Sequence, residues 1–206
     1  MSSLETLLPR LLLVADQRLC PEVDLMDTVL EAAAAGLRFV QFREPELAEH
    51  HVAALVGELC AKAPELLVTL NGRPTLARKL GVGVHLPMRL LGADASGIGL
   101  VGRSVHTLEE AAQALAAGTH YLELGTIFPS RSKPGHPGAG PWLVRELCRR
   151  CPVPVYAIGG VSPEQTAELR SLGAHGVAVS RGILLAPDVG RAVREFNAAL
   201  GGVAAS

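Results

Sequence analysis

The sequence predicts an α/β fold, a single (β/α)8 barrel, from three observations. Short runs of β-forming apolar residues alternate with alanine- and leucine-rich helical segments along the whole chain, which is typical of parallel βαβ units. Eight such units can be counted in the 206 residues, more than an open doubly wound sheet usually has. The first predicted strand ends in Ala15-Asp16-Gln17, without the glycine cluster of nucleotide-binding open sheets. We therefore expect a closed barrel, with an open sheet as the alternative.

The predicted strands are short, and their boundaries follow the β-rich runs. All eight are expected to lie parallel, because a helical segment separates most of them from the next. They cover residues 11–15, 38–43, 66–71, 83–86, 98–101, 121–125, 153–158 and 176–180.

Start and stop signals support the helices between these strands. Ser162-Pro163 places an N-cap before a proline at the first helical position, and Gly36 and Gly173 each follow a helical run. Only the fourth unit, near residues 89–93, has a poor helical insert. The predicted helices cover residues 24–35, 46–62, 74–80, 108–117, 141–151, 163–172 and 189–200.

Composition and charge narrow the class of function. The chain is 49% hydrophobic, its formal net charge is −1, and residues of both signs are interspersed. Because this leaves no basic footprint, we expect neither nucleic acid nor an anionic membrane as a partner. No apolar run approaches the roughly 20 residues of a spanning helix, and residues 1–10 lack a signal-peptide pattern. We therefore expect a cytoplasmic protein. Cys148 and Cys151 form a C-x-x-C with no second pair to complete a zinc site.

Alternation along the strands separates two sets of side chains. One set faces the helices and must be apolar, whereas the other fills the barrel and meets ligand near its mouth. Val40 and Phe42 can face the helices, for example, which leaves Gln41 and Arg43 inward. Because a polar barrel interior is costly, we interpret the inward set as a candidate active site, with an internally hydrogen-bonded core as the alternative. The predicted inward polar residues are Gln41, Arg43, Thr69, Asn71, His85, Glu123 and Ser180.

Glycine-containing loops leave the last two predicted strands. Gly159-Gly160 follows the seventh strand, and Ser180-Arg181-Gly182 follows the eighth. Barrels commonly form a phosphate site at these two strand ends, from backbone N–H groups and the N-terminus of a short helix. Glycine permits close approach of the backbone to a ligand, so we predict that these residues bind phosphate.

The longest connection, residues 126–140, lacks any helix or strand pattern. A connection of this length often serves as a lid over an active site. Arg131 and Lys133 would suit an anionic ligand, and a solvated basic loop is the alternative.

Six short segments, in this order, resemble motifs of the thiamine phosphate synthase and TenI superfamily, and the resemblance runs through nearly the whole chain. It implies a thiamine-pathway barrel whose Gly159-Gly160 and Ser180 loops hold the phosphate of a thiazole ethyl phosphate. The segments are residues 41–44 (QFRE), 83–86 (GVHL), 102–107 (GRSVHT), 125–133 (GTIFPSRSK), 157–161 (AIGGV) and 176–180 (GVAVS).

The synthase branch of that superfamily joins a pyrimidine diphosphate to a thiazole phosphate and holds Mg2+ with two aspartates. The resemblance places these aspartates where this chain has Gly72 and Leu90. A synthase Lys, two residues beyond the second-strand Arg, is Pro45 here. Since a divalent cation usually neutralises a departing diphosphate, these departures speak against synthase activity.

The TenI branch consists of thiazole tautomerases, and residues 71–73, 86–87 and 102–110 resemble its local sequence. These enzymes aromatise a carboxythiazole phosphate by moving a proton, which needs acid–base groups and neither a metal nor another cofactor. Their catalytic His after the sixth strand is Thr126 here, and the sequence of the long connection is more synthase-like. The candidate catalytic residues are Glu123, His85, His106 and Thr126, and the candidate substrate-binding residues are Gln41, Arg43, Asn71, Ser104, Ser130, Ser132 and Lys133.

We therefore expect a TenI-like thiazole tautomerase, an isomerase whose partner is a small phosphorylated thiazole. A diverged thiamine phosphate synthase is the second interpretation, and a non-catalytic regulator that binds thiazole phosphate or thiamine phosphate is the third. Apolar surroundings are expected to raise the pKa of Glu123, and a structural ion pair with Arg43 is the alternative for this residue. The number of subunits stays open, a homo-oligomer included.

Overall fold

The computed structural model describes residues 8–130 and 135–201. Within these ranges eight parallel strands pair in chain order and the last returns to the first, which closes the sheet into a (β/α)8, or TIM, barrel. This confirms the predicted fold class. The strands are β1 (Leu11–Ala15), β2 (Phe39–Phe42), β3 (Leu67–Asn71), β4 (Gly83–Leu86), β5 (Val101–Val105), β6 (Tyr121–Gly125), β7 (Val155–Ile158) and β8 (Gly176–Val179).

Helices cover the outside of the sheet. Ser162 caps its helix as predicted, through a capping box with Gln165. The fourth unit has only a 3-10 turn, Met88–Leu90, in place of a helix. No helix of the described residues is long and apolar enough to cross a membrane. The helices are α1 (Leu25–Ala34), α2 (Glu49–Lys62), α3 (Pro74–Leu80), α4 (Leu108–Ala116), α5 (Pro141–Cys148), α6 (Pro163–Ser171), α7 (Arg181–Leu184) and α8 (Val189–Ala199).

The fifth strand was predicted in the wrong place. It covers Val101–Val105, whereas the apolar run at residues 98–101 had been expected to form it. The true strand contains Gly102, Arg103 and Ser104, which the apolar-strand pattern rejects. Each has its own reason in the barrel: Ser104 lines the cavity, Gly102 leaves room for the Tyr121 ring, and Arg103 is buried. Elsewhere several ends differ by a few residues, for example where α2 begins at Glu49, β7 begins at Val155 and α5 ends at Cys148. The structure also has one short helix, α7, that the sequence pattern does not predict.

The closed sheet separates two apolar compartments. Outward side chains such as Leu13, Val40 and Leu122 pack beneath the helices in the larger compartment. The smaller compartment lies inside the barrel and contains Phe39 and Tyr121. The alternation expected from the sequence therefore holds in the folded chain.

Three aromatic rings fill the interior of the barrel. The centroid of Phe39 lies 5.5 Å from that of Tyr121 and 5.9 Å from that of Tyr156, and the two tyrosine centroids are 5.6 Å apart. All three pairs meet edge to face, an arrangement that aromatic quadrupoles favour. The Tyr156 hydroxyl also donates a hydrogen bond of 2.6 Å to the Pro9 carbonyl oxygen. We call these three residues the aromatic layer.

Gly102 makes room for one ring of the aromatic layer. It is paired with Tyr121 in the sheet, and a Cβ at Gly102 would overlap the Tyr121 ring. A larger residue at position 102 therefore requires the ring or the backbone to move.

We predict that Gly102→Ala lowers the free energy of unfolding by about 1–3 kcal/mol, because overpacking a filled interior forces its neighbours to shift. Denaturant unfolding followed by circular dichroism measures this change. Gly57→Ala is the matched control, since Gly57 lies in α2 with open space around it. Alanine there should stabilise the chain by roughly 0.5–1 kcal/mol. A Gly102 variant as stable as the wild type would contradict the packing described here.

Candidate active site

A cavity of about 580 Å³ opens at the carboxyl ends of the strands, the end at which barrels of this fold place active sites. Ser132 and Lys133, together with Arg131, lie outside the described residues. His85 does not line the cavity and lies beneath it. The predicted residues that line it are Gln41, Arg43, Asn71, Ser104, His106, Glu123, Thr126, Ser130, Gly159, Gly160, Ser180, Arg181 and Gly182.

Buried polar side chains form the floor of the cavity. Gln41 on β2 and Glu123 on β6 are each only 2% exposed. Gln41 Oε1, Glu123 Oε1 and Ser180 Oγ are buried without a hydrogen-bond partner. Since an unpartnered buried polar atom costs free energy, such atoms indicate a place that a ligand or water completes. The alternative of an internally satisfied polar core is therefore wrong for these three atoms.

Glu123 provides the one carboxyl group in the described wall of the cavity. Burial raises its pKa from the ordinary 4.5 to about 8, and the positive charge of Arg43 opposes this shift only in part. The group is therefore mostly protonated at neutral pH. The predicted direction of the pKa shift is confirmed. Arg43 does not form the alternative ion pair with Glu123, because it pairs with Asp16 instead.

His85 lies one layer below the floor and is fully buried. Its Nδ1 is 3.0 Å from the Tyr121 hydroxyl oxygen, and its Nε2 is 2.7 Å from Ser104 Oγ. Glu123 Oε2 lies 3.6 Å from the same Nε2. Burial, reinforced by the charges of Arg43 and Arg103, lowers the pKa of His85 to about 3, so the ring is neutral. His85 thus contacts groups of the cavity wall without facing the cavity itself.

A buried carboxylate that strand alternation does not predict holds Arg43 at the cavity wall. Asp16 directly follows β1 and is fully buried. Its Oδ2 accepts a hydrogen bond of 2.7 Å from Arg43 Nη1 and one of 2.8 Å from Arg18 Nη2. Two guanidinium groups around one carboxylate compensate its burial. One sequence feature could have indicated this ion pair. Asp16 directly follows β1, Arg43 directly follows β2, and these two strands are neighbours in the sheet.

The glycine loop after β7 packs directly against the long connection. Gly159 and Gly160 have φ angles of +98° and +68°, in the left-handed region that favours glycine. A Cβ at Gly160 would overlap the Pro129 carbonyl oxygen. The Ile127 and Phe128 N–H groups donate hydrogen bonds of 2.9 Å to the carbonyls of Ile158 and Gly159. The described part of the long connection is therefore anchored beside the glycines.

His106 and Thr126 both line the cavity but differ in exposure. The His106 side chain is 48% exposed, and its Nδ1 lies 3.0 Å from Glu110 Oε2 in the first turn of α4. Thr126 is buried and carries a hydroxyl group where the resemblance expects an imidazole. Among the four candidate catalytic residues, Glu123 is the one whose titrating group is both buried and part of the cavity wall.

The two positions that would carry the Mg2+ aspartates of the synthase branch are neighbours here. A Cβ at Gly72 would lie 3.7 Å from Leu90 Cδ1. Neither side chain has an oxygen ligand, and the protonated Glu123 is not the charged oxygen donor that Mg2+ prefers. Across residues 8–130 and 135–201, no group of three or more His, Cys, Asp and Glu residues could hold a metal ion. The described residues of this site therefore do not fit Mg2+.

Comparisons with known proteins agree along most of the chain. A family model described as "Thiamine monophosphate synthase" matches residues 11–183. The thiamine-phosphate synthase of Thermus thermophilus is 36% identical over 189 residues, which cover 87% of this chain and 90% of that protein. A thiamine biosynthesis bifunctional protein ThiM/ThiE of Symbiobacterium thermophilum is 39% identical over 186 residues, covering 83% of this chain and 37% of that longer protein. The solved structure of a thiamine phosphate pyrophosphorylase from Pyrococcus furiosus superposes with a TM-score of 0.79 at 25% identity, covering 93% of this chain and 95% of that one.

We predict that Glu123→Gln raises the melting temperature, and that the gain is larger at pH 8 than at pH 5. In the unfolded chain Glu123 releases its proton above about pH 4.5, whereas in the folded protein its pKa is about 8. The stability of the wild type therefore falls as the pH rises from about 4.5 through about 8. Glutamine has no such proton to lose. Thermal unfolding at both pH values measures the difference.

Glu164→Gln is the control for this pH dependence. Glu164 is exposed, and hydrogen bonds, the largest from the Ser162 hydroxyl, lower its pKa, so it is ionised in the folded and unfolded states throughout pH 5–8. Its effect on the melting temperature should be the same at both pH values. A Glu123→Gln effect equally independent of pH would contradict the buried, protonated state.

Proposed function

The chain belongs to the thiamine monophosphate synthase family, and we propose that it binds a phosphorylated thiazole in this cavity and joins a pyrimidine diphosphate to it. This makes it a transferase of thiamine biosynthesis. The observation that carries the proposal is the similarity to named synthases over most of the chain, combined with one cavity that contains both the glycine loops and a polar floor. The relatives thus favour a synthase over the tautomerase expected from the local sequence.

The phosphate is proposed to lie between the loop after β7 and the start of α7. Gly159, Gly160 and Gly182 line the same cavity and bring the backbone close to it without side chains. Ser180 adds a hydroxyl group that has no hydrogen-bond partner in the protein. A phosphate group accepts hydrogen bonds from such donors, and the N-terminus of a helix favours its charge.

The heterocycles are proposed to lie on the polar floor. Four polar side chains line the cavity there: Gln41, Asn71, Ser104 and Glu123. Gln41 and Glu123 each have a buried oxygen atom without a hydrogen-bond partner in the protein, and a ligand could supply that partner. A few fixed polar groups in an otherwise apolar pocket orient a small aromatic ring.

Joining the two heterocycles expels diphosphate, whose negative charge must be compensated. Since the described site residues do not fit Mg2+, we propose that cationic side chains of the described wall compensate this charge. Arg43, Arg89 and Arg181 all line the cavity, and guanidinium groups bind phosphate oxygens in a bidentate manner. Asp16 fixes Arg43 in place for this role.

A thiazole tautomerase is the second candidate function, and the state of Glu123 favours it. A buried carboxyl group with a pKa of about 8 can give and take a proton near neutral pH. Tautomerisation also needs no metal. Under this candidate, Glu123→Gln lowers the rate of tautomerisation by roughly 10²-fold or more while phosphate binding survives.

We predict that Gly160→Val abolishes binding of the phosphorylated thiazole in calorimetry. Valine combines an unfavourable φ with an overlap against Pro129, and both would displace the loop that we propose to hold the phosphate. Gly97→Val is the control, because Gly97 has a similar φ of +73° with no neighbour within 4 Å and does not line the cavity. Unchanged affinity of the Gly160 variant would remove this loop from the proposed site.

We predict that the purified protein forms thiamine phosphate from the pyrimidine diphosphate and the thiazole phosphate at the same rate with excess EDTA as with Mg2+. Arg181→Met should lower this rate by roughly tenfold or more, because it removes a charge that we propose to stabilise the leaving group. Arg191→Met is the control, since Arg191 is exposed on α8 outside the cavity.

The same preparation separates the alternatives. A rate that requires Mg2+ would contradict the metal-independent site. Tautomerisation without synthase turnover would select the second candidate. Tight binding of thiazole phosphate without either reaction would identify a regulator.

A further inference from the structure

Glu123 has an oxygen atom that nothing in the protein satisfies. Its side chain is 3% exposed, its Oε1 has no hydrogen-bond partner, and the residue forms part of the cavity wall. A carboxyl group in this position can make its missing hydrogen bond only with something inside the cavity.

The charge states of the groups around Glu123 determine whether its carboxyl group is protonated. His85 of β4 presents Nε2 at 3.6 Å and is neutral. Tyr121 of β6 and Tyr156 of β7 are buried phenols whose pKa values burial raises well above 10, so they stay neutral too. Arg43 is the cation whose charge reaches Glu123, and Asp16 holds it as an ion pair. The surroundings therefore favour the uncharged carboxyl group.

We propose that the Glu123 carboxyl group is a hydrogen-bond donor that recognises a ring nitrogen, or another lone-pair acceptor, on a neutral heterocycle at the closed end of the cavity. A protonated carboxyl group has one O–H donor, and the orphaned Oε1 is the atom that faces no protein partner. A heteroaromatic nitrogen with its lone pair in the ring plane supplies the complementary acceptor. Glu123 is thus a specificity-determining residue, and this role rests on the proposed function because it concerns the heterocycle of that ligand.

Calorimetry at pH 7 and pH 9 tests this role with three probes: the phosphorylated thiazole, the pyrimidine diphosphate and inorganic phosphate. A donor that is lost with a pKa of about 8 makes the wild type bind the recognised heterocycle about tenfold more weakly at pH 9 than at pH 7. The affinity for inorganic phosphate should not show this loss, because it has no ring.

Two substitutions of Glu123 distinguish the effect of its hydrogen-bond donor from the effect of its titration. Glu123→Gln keeps an N–H donor that does not titrate, so it should bind the heterocycle equally at both pH values. Glu123→Met has a similar size but no donor, so its affinity at pH 7 should be about tenfold below that of the wild type. Infrared spectroscopy of the free protein adds a ligand-independent measurement: a protonated-carboxyl stretch at pH 6.5 that Glu123→Gln removes.

The outcomes are distinguishable. If the ring probes bind the wild type but neither binds more weakly at pH 9 than at pH 7, or if neither loses affinity in Glu123→Met, the donor role is overturned and the proposed function stands. If the infrared band is present and phosphate binds but neither ring probe does, the proposed function fails, and the recognition role fails with it.

Discussion

The pleat of eight parallel strands determines which side chains this barrel buries and which it presents to a ligand. Closure removes the sheet edges, so every strand residue must face either the helices or the interior. The aromatic layer fills the interior below the site. Above it the same alternation places Gln41 and Glu123, because each lies two residues beyond a member of that layer on its own strand. The polar floor thus lies directly above the aromatic layer, one inward-facing position further along the same strands.

This continuity explains the electrostatics of the site. The aromatic layer excludes water from below, so Glu123 and His85 lie in an environment that disfavours charge. Both groups respond as burial requires: the pKa of the acid rises and that of the base falls. Asp16 lies in a different environment, between two arginines. Of these two buried carboxyl groups, Asp16 is thus held by guanidinium groups, whereas Glu123 is protonated and available to a ligand.

The sequence predicted most of the fold because the alternation of strand and helix is a local property. It also predicted which polar residues point inward, since that depends on the period of a single strand. The sequence pattern does not predict β5, because Gly102 and Arg103 interrupt its apolar run. Gly102 leaves room for the Tyr121 ring, and Arg103 is buried on the outer side of the strand. The partner of Arg43 was missed for another reason. Choosing Asp16 over Glu123 depends on distances across the closed barrel, which strand periodicity does not contain.

The separation between the aromatic layer and the polar floor has a consequence for how such a barrel changes over evolution. Residues that keep the interior filled, such as Tyr121, are different from those that meet the ligand, although they share strands. A substitution at Gln41 or Glu123 alters the chemistry presented to the ligand while the support beneath it stays in place. Gly72 and Leu90, where the resemblance expects metal ligands, lie outside the strands, so a change there leaves the strands of the barrel intact. A lineage can therefore exchange one reaction for another by single steps, each of which leaves a folded protein for selection to act on.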